Sequence, residues 1–347
     1  MEPEAKPAAE APYVPFEENE ISIKANGGTE LIKRKIASMM DPEIAKEFQV
    51  ICSRVREIRN DKLRIYWVHD LPEDPETNHL QHSASRTRFH RIVFCGHWQQ
   101  TNYLIKLGIP QDEKILVIEN GIEPIDVTPK DKELLADEVR MVYCATPHRG
   151  LNILVPVFIK LHEKYPNIRL HVYSSFQIYG AKSADSNFEG IYKICREHPA
   201  ITYHGTASNE EVRKALKACH IYAYPSTWQE CNSIATMEAM SAGLEVVHPN
   251  LAGLPDTTGG MTAMYQWHQD ANTHANIFFA NLEQAVLNVR SQEAQNRLAF
   301  IKQYADTRFH IERQAGYWRD LMGALVKMAE GKDRAPPPAM FQYRPFG

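Results

Sequence analysis

The sequence predicts an α/β protein with two domains, each built around a parallel β-sheet. Three observations predict this fold class. The chain has 347 residues, more than one typical domain contains. Short apolar runs alternate with stretches of helical periodicity, as in repeated βαβ units. Hydrophobic residues make up 44% of the chain and charged residues 24%, which is the ordinary balance of a globular protein.

The apolar runs predict nine strands, and helical periodicity fills most of the intervals. The strands are Phe48–Cys52, Arg64–Val68, Arg91–Cys95, Lys114–Ile118, Val139–Cys144, Ile168–Ser174, Ala200–Tyr203, Ile221–Tyr224 and Leu244–His248. The helices are 29–40, 97–107, 151–164, 208–218, 233–242 and a longer one at 311–329. Strands in this order predict two Rossmann-like domains whose sheets face a cleft, where ligands bind.

The predicted domain boundary lies near Gly121–Thr128, where a strand is followed by prolines and charged residues. The first domain is expected at 20–124 and the second at 125–308, with a helix at 309–330 that packs across both. A segment at Ile21–Ile23 could supply an additional first strand. The tails are expected at 1–19 and 331–347; the first is rich in Glu, Pro and Ala and is predicted to be disordered.

Charge and composition restrict the partners that are expected. The net charge of −4 does not favour nucleic acid, so no nucleic-acid partner is predicted. No apolar run approaches the ~20 residues that span a bilayer, and the first twenty residues do not resemble a signal peptide. The six cysteines include no CxxC pair, which favours reduced core thiols in a cytoplasmic protein. The basic segment 31–40 leaves peripheral membrane contact as an alternative, although a solvated helix face is favoured.

The most informative segment is Ile221–Asp256, which contains Glu230 and Glu238. Asn232 and Ser233 are good N-cap residues, so a helix is predicted to begin there and to present its first amides to an anion. Glu238 would lie about two turns into this helix. A carboxylate can accept hydrogen bonds from two neighbouring hydroxyls, so the pair could bracket a nucleotide sugar. The alternative, two solvated glutamates, fits poorly with the apolar residues around Glu238.

Three further positions are candidates on physical grounds. Gly27-Gly28 at a helix start lets the backbone approach a ligand, although an ordinary turn is an equal alternative. His69-Asp70 follow a predicted strand and would project into the cleft, or would be structural. Arg149 lies at a strand-to-helix turn and could pair with a diphosphate, unless it is merely a solvated turn residue.

Segment 221–256 resembles the donor-binding signature of glycosyltransferase family 4. Shared features are a Pro-Ser-x-Trp opening, two glutamates separated by seven residues, and Ala-Met-x-Ala-Gly. The resemblance covers most of the chain. It extends to Gly27-Gly28-Thr29-Glu30, Asn120-Gly121-Ile122, the turn from Ala145 to Leu151, and His204-Gly205 followed by Asn209, Glu210 and Val212.

The resemblance implies a GT-B fold and a retaining glycosyltransferase that uses a nucleotide-sugar donor and a hydroxyl acceptor. The acceptor would be a glycan, a glycolipid or a glycoprotein sugar, bound on the side of domain 20–124, and domain 125–308 would bind the donor. No cofactor and no metal ion are expected.

The resemblance also implies the residues of the site. The catalytic residues would be Glu230, Arg149 and His69. The nucleotide sugar would contact Gly28, Arg149, Ser174, Gly205, Glu230, Asn232, Ser233, Ile234 and Glu238. The acceptor side would comprise Gly27, Thr29, His69 and Asp70.

Two departures from the family pattern concern the donor. Tyr143-Cys144-Ala145 replaces a stretch in which many members have a second basic residue, so Arg149 is expected to be the remaining cation at the diphosphate. Asn232-Ser233 replaces the usual Phe-Gly, which leaves the donor sugar open. Two alternatives remain: a sugar-nucleotide 2-epimerase of similar fold, and an inactive binding module. A nicotinamide dehydrogenase is disfavoured, because no GxGxxG opens a helix after a strand.

Overall fold

The computed structural model describes residues 27–52, 54–112, 114–128 and 138–331. Within these residues, ten strands form two separate sheets, and all strand pairs are parallel. The predicted α/β class with two parallel sheets is confirmed. The predicted tail 1–19, the segment Ile21–Ile23 and residues 332–347 lie outside the described residues.

The first sheet has four strands in the order β1-β2-β3-β4, the order in which they occur along the chain. Alternate side chains of the central strand β2 enter two different cores: Ile65 and Trp67 lie in one, and Tyr66 and Val68 in the other. Both faces of the sheet are therefore covered, as expected for parallel strands. The elements are α1 (Gly28–Ser38), α2 (Pro42–Ala45), β1 (Phe48–Cys52), β2 (Leu63–Val68), α3 (Ser83–Arg86), β3 (Arg91–Phe94), α4 (His97–Leu107) and β4 (Ile115–Val117).

The second sheet has six strands in the order β10-β9-β8-β5-β6-β7. Its first strand, β5, pairs with β6 on one side and β8 on the other, so the chain reverses its direction of travel across the sheet at this point. Such a switch point opens a crevice at the carboxyl ends of the strands. The elements are β5 (Val139–Cys144), α5 (Leu151–Lys164), β6 (Ile168–Tyr173), α6 (Glu189–Glu197), β7 (Ile201–Gly205), α7 (Asn209–Ala218), β8 (Ile221–Ala223), α8 (Ile234–Ser241), β9 (Glu245–Pro249), α9 (Leu254–Thr258), β10 (Ala263–Tyr265), α10 (Ala271–Asn288) and α11 (Gln292–Arg308).

The predicted strands agree with those observed to within two residues at each end. The sequence analysis did not predict strand β10, helix α6, or the two helices α10 and α11 that fill residues 271–308.

The last helix, α12 (Ile311–Ala329), returns to the first domain. The chain crosses back beside the linker, where Ile122 N donates to Phe309 O at 2.7 Å and Ile311 N donates to Ile122 O at 2.8 Å. Trp318 then packs against Trp67 of β2, with ring centroids 4.7 Å apart. The sequence analysis expected a helix that packs across both domains; its apolar stripe lies in the core of the first sheet.

Helix α1 turns its apolar side inward, because Ile32, Ile36 and Met40 at its end are all buried in the core that α12 completes. The apolar residues of segment 31–40 are therefore committed to the fold rather than presented to a lipid surface. Within the described parts of the chain, no helix combines the length and apolarity that crossing a bilayer requires.

Gly150, the residue that starts the turn into α5, tests the backbone of the second domain. Its φ is +119°, and an added Cβ would lie 2.2 Å from the carbonyl oxygen of Pro225. We expect Gly150→Ala to lower the free energy of unfolding by about 2–4 kcal/mol, because backbone strain and a clash with backbone add together. Thermal unfolding measures this change.

The matched control is Gly323→Ala in α12, where the added Cβ meets nothing within 4 Å. This variant should gain about 0.5–1 kcal/mol, because alanine replaces a glycine inside a helix. If Gly150→Ala melts at the temperature of the wild type, the proposed constraint at the turn is wrong.

Candidate active site

A cavity of about 880 Å³ lies between the two domains. The residues that follow β1, β2 and β3 line it from one side, and those that follow β5, β6 and β8 line it from the other. In chain order these residues include Arg54, His69, Cys95, Ala145, Ser174 and Tyr224. The parallel topology of both sheets thus converges on one cleft.

Every residue that the sequence analysis assigned to the site lines this cavity. The first domain contributes the acceptor-side set and the glycine loop: Gly27, Gly28, Thr29, His69 and Asp70. The second domain contributes the remainder: Arg149, Ser174, Gly205, Glu230, Asn232, Ser233, Ile234 and Glu238. The structure therefore brings together residues separated by up to two hundred positions in the chain.

Polar atoms that are buried but have no hydrogen-bond partner are concentrated around the cavity. Such atoms are costly in a folded protein unless a ligand or water satisfies them. They belong to lining residues from both domains, including Glu30, His69, Thr146, Arg149, Ser174, Gln229 and Asn232. This distribution indicates a site shaped for a polar ligand.

The start of helix α8 faces the cavity without a side-chain cap. Ser233 occupies the N-cap position, but its hydroxyl accepts from Thr236 Oγ1 at 3.0 Å and makes no cap hydrogen bond. The Oδ1 atom of Asn232 accepts instead from the backbone N–H of Asn120, at 2.9 Å. The predicted capping role of these two side chains is therefore wrong, while the predicted helix start is within one residue. The uncapped start leaves backbone N–H groups for an anion.

Glu230 is 9% exposed and is held by two groups of its own domain. Arg149 Nη1 donates to Glu230 Oε1 at 2.5 Å, and the hydroxyl of Tyr224 donates to the same oxygen. Arg149 Nη2 also lies 3.5 Å from the hydroxyl of Tyr179. The guanidinium and carboxylate thus form a partly buried ion pair at the cavity wall.

Glu238 is 6% exposed and has a different set of partners. Arg213 Nη1 donates to Glu238 Oε1 at 2.8 Å, and Asn209 Nδ2 lies 3.3 Å and 3.4 Å from the two carboxylate oxygens. Burial raises the pKa of Glu238, and the hydrogen bond and charge of Arg213 oppose this shift. The two glutamates therefore lie in separate electrostatic environments.

The loop after β2 is fixed by backbone contacts. Gln99 Nε2 and the hydroxyl of Tyr103 donate to the carbonyl of Asp70 at 2.9 Å and 3.0 Å. The ring of His69 packs on Trp67, with centroids 4.5 Å apart, and its buried Nε2 has no hydrogen-bond partner in the described chain. His69 is thus a rigidly placed imidazole with one nitrogen left for a ligand.

The glycine loop closes against the opposite domain. A Cβ added at Gly27 would lie 2.5 Å from Cε1 of Tyr179, which follows β6. Only a residue without a side chain allows this approach, so Gly27 and Tyr179 narrow the mouth of the cavity.

Sequence analysis missed three residues that line the cavity. Arg54 adds a second guanidinium beside that of Arg149, and the rule that selected His69 would have found it, since it also follows a strand. Cys95 and Cys231, assigned to the core with the other cysteines, meet across the domains. The hydrogen bond from Cys231 and the contact with His69 lower the pKa of the Cys95 thiol, against the effect of burial.

Comparison with known proteins agrees with this architecture. Residues 138–276 match the model of the family described as glycosyl transferases group 1. One curated relative belongs to the human phosphatidylinositol N-acetylglucosaminyltransferase, of which it is a subunit, and is 25% identical over 170 residues. That match covers 48% of this chain and 33% of the relative, so the chain aligns with about one third of that protein's length.

Solved glycosyltransferase structures match over most of the chain. A glycosyltransferase from Rickettsia africae superposes with a TM-score of 0.63 at 14% identity, covering 90% of this chain and 84% of that one. HepE from Anabaena, in complex with UDP and glucose, has a TM-score of 0.58 at 17% identity, covering 86% and 77%. The chain thus has the GT-B fold of glycosyltransferases, and its residues 138–276 match the glycosyl transferases group 1 family.

Proposed function

We propose that the protein is a retaining glycosyltransferase that moves a sugar from a nucleotide sugar to a hydroxyl group of a glycan, a glycolipid or a glycoprotein sugar. The observation that carries the proposal is the interdomain cavity: it is lined by Glu230, Glu238, Arg149 and the uncapped start of α8. These groups match the hydroxyls and the diphosphate of a nucleotide sugar in kind and in order.

The donor would lie along the second domain. Glu238 would accept hydrogen bonds from the ribose diol, because a carboxylate has acceptor sites for two neighbouring hydroxyls. The start of α8 and Arg149 would hold the diphosphate, where backbone N–H groups and a guanidinium both favour negative charge. UDP is the first nucleotide to test, since it is bound in the HepE structure.

The sugar would lie between Glu230 and the first domain. The bond between its anomeric carbon and the diphosphate oxygen breaks, and the bond to the acceptor oxygen forms on the same face. The acceptor proton passes to the departing diphosphate, and Arg149 stabilises the negative charge that grows there. His69 Nε2, which has no hydrogen-bond partner in the described chain, would contact the sugar or the acceptor from the opposite wall.

The acceptor would enter along the first domain, past Gly27, Thr29, His69 and Asp70. Arg149 supplies positive charge at the leaving group, so the proposed reaction uses no cofactor and no metal ion.

Retention at the anomeric carbon is a direct expectation. Proton NMR of an early product should show the anomeric configuration of the donor, and a chelator such as EDTA should leave the initial rate unchanged. An inverted product would require a general base, and His69 or Asp70 would be the first candidates.

A panel of nucleotide sugars tests the proposal as a whole. Purified protein, a mixed glycan and glycolipid acceptor pool, and each donor are incubated, and the release of nucleoside diphosphate is measured with and without acceptor. Release that depends on acceptor supports a transferase. Conversion of the donor sugar to its 2-epimer would indicate the epimerase instead, and donor binding without any turnover would indicate a binding module.

A further inference from the structure

We propose that Arg213 is a positioning residue of the donor site: it fixes the orientation of the Glu238 carboxylate, supplies its counter-charge and ties it to the linker between the domains. The inference rests on the proposed function, because it concerns the carboxylate that would hold the ribose. Nothing in the resemblance to family 4 singled out this arginine, which lies on α7, nine residues after the β7 residue His204.

The contact is direct and shielded from water. Arg213 Nη1 donates to Glu238 Oε1 at 2.8 Å, and the two side chains are 20% and 8% exposed. Glu238 lines the cavity, whereas Arg213 packs behind it. At this burial the charges are weakly screened, and removing one partner leaves the other uncompensated.

The remaining nitrogen of the guanidinium reaches the linker. Arg213 Nη2 donates to the carbonyls of Glu123 and Pro124 at 3.0 Å and 3.3 Å. The Glu123 carboxylate in turn pairs with Lys35 of α1, the helix that carries the glycine loop at its start. Arg213 therefore connects the donor carboxylate to the segment that sets the relation between the two domains.

Arg213 opposes the tendency of Glu238 to take up a proton. Burial raises the pKa of Glu238, and the Glu123 charge acts in the same direction; Arg213 and then Asn209 lower it. The Cys144 thiol of β5 also faces Glu238, and burial followed by the Glu238 charge raises its pKa, so this thiol stays neutral. Arg213 is thus the cation that keeps the carboxylate charged, and a protonated Glu238 would lose half of its acceptor capacity.

UDP binding to the full chain, measured by calorimetry from pH 8.5 to pH 6, tests this role. Arg213→Ala should weaken binding at least tenfold at pH 7. The loss should grow towards acidic pH, because removal of the cation moves the protonation of Glu238 to higher pH. Arg213→Lys keeps the charge and should stay within about threefold of the wild type. The control is Lys214→Ala, since this neighbouring lysine pairs with exposed Glu210.

A second measurement does not depend on a nucleotide. When a folded pKa lies above its unfolded value, the associated stability is present at low pH and is lost as pH rises. The melting temperature of Arg213→Ala should therefore fall below that of the wild type at pH 8, with a deficit that shrinks towards pH 5.5. The double variant Arg213→Ala/Glu238→Gln should lose this pH dependence, because no carboxylate remains to titrate.

Two results would overturn the inference while leaving the proposed function intact: UDP binding by Arg213→Ala with wild-type affinity and pH dependence, or a melting deficit that is independent of pH. A wild-type protein that binds neither UDP, GDP nor ADP would contradict the proposed function itself, whatever the Arg213 variants do.

Discussion

Replacing Arg149 with alanine is expected to lower turnover by about two to three orders of magnitude, or roughly 3–4 kcal/mol of transition-state stabilisation. The negative charge on the diphosphate grows as the sugar bond breaks, so the guanidinium contributes more in the transition state than in the bound donor. The ion pair with Glu230 adds to the effect, because the alanine variant leaves a carboxylate that is only 9% exposed without its partner. Donor affinity should fall less than turnover does.

Arg149→Lys should fall between the wild type and alanine, because it keeps the charge but loses the two-pronged geometry. Initial rates at saturating donor measure both effects. Arg319→Ala is the matched control, since this arginine pairs with Glu312 on the surface of α12. Turnover of Arg149→Ala within threefold of the wild type would show that another residue holds the diphosphate, and Arg54, which lines the same cavity, would be tested next.

Glu238→Ala is expected to weaken binding of donor and of free nucleoside diphosphate by similar factors. Hydrogen bonds to a charged group contribute about 1.5–3 kcal/mol, so the loss should be roughly 10- to 150-fold. The two affinities fall together because the ribose diol is common to both ligands. Calorimetry with UDP and with an unreactive UDP-sugar analogue compares them directly.

Glu230→Ala is the contrasting variant, because Glu230 lies at the Arg149 end of the cavity wall and faces the sugar in the proposed pose. It should lower turnover while the affinity for nucleoside diphosphate stays within a few-fold. Equal losses of nucleoside diphosphate affinity in the two variants would contradict this division of roles.

The sequence predicted the strands well because their apolar runs are short, continuous and buried on both faces. It failed at residues 271–308, where α11 buries only Ala294, Leu298, Ile301 and Ala305 among its residues. Two of these four are alanines, so the apolar stripe is narrow in an otherwise polar stretch. Helical periodicity was present there, but its signal was weak.

Within the site, local patterns placed residues on the cavity wall but could not pair them. Arg149 and Glu230 are 81 positions apart, and Arg213 and Glu238 are 25 apart on different helices. Such contacts depend on how the elements pack, and no periodicity reports them. The side chains of Asn232 and Ser233 illustrate the same limit, since they have good N-cap chemistry but bind Asn120 and Thr236 instead.

The return of α12 to the first sheet has a consequence for the order in which the chain acquires its structure during synthesis. Trp67 and the apolar face of α1 have their packing partner Trp318 some 250 positions later. Domains usually form as they leave the ribosome, beginning at the amino terminus. Here the second domain, whose strands and helices lie within 138–308, can complete its core first. The amino-terminal half must wait for residues 311–329, so truncation before Ile311 should release a folded carboxyl-terminal half and an aggregation-prone amino-terminal one.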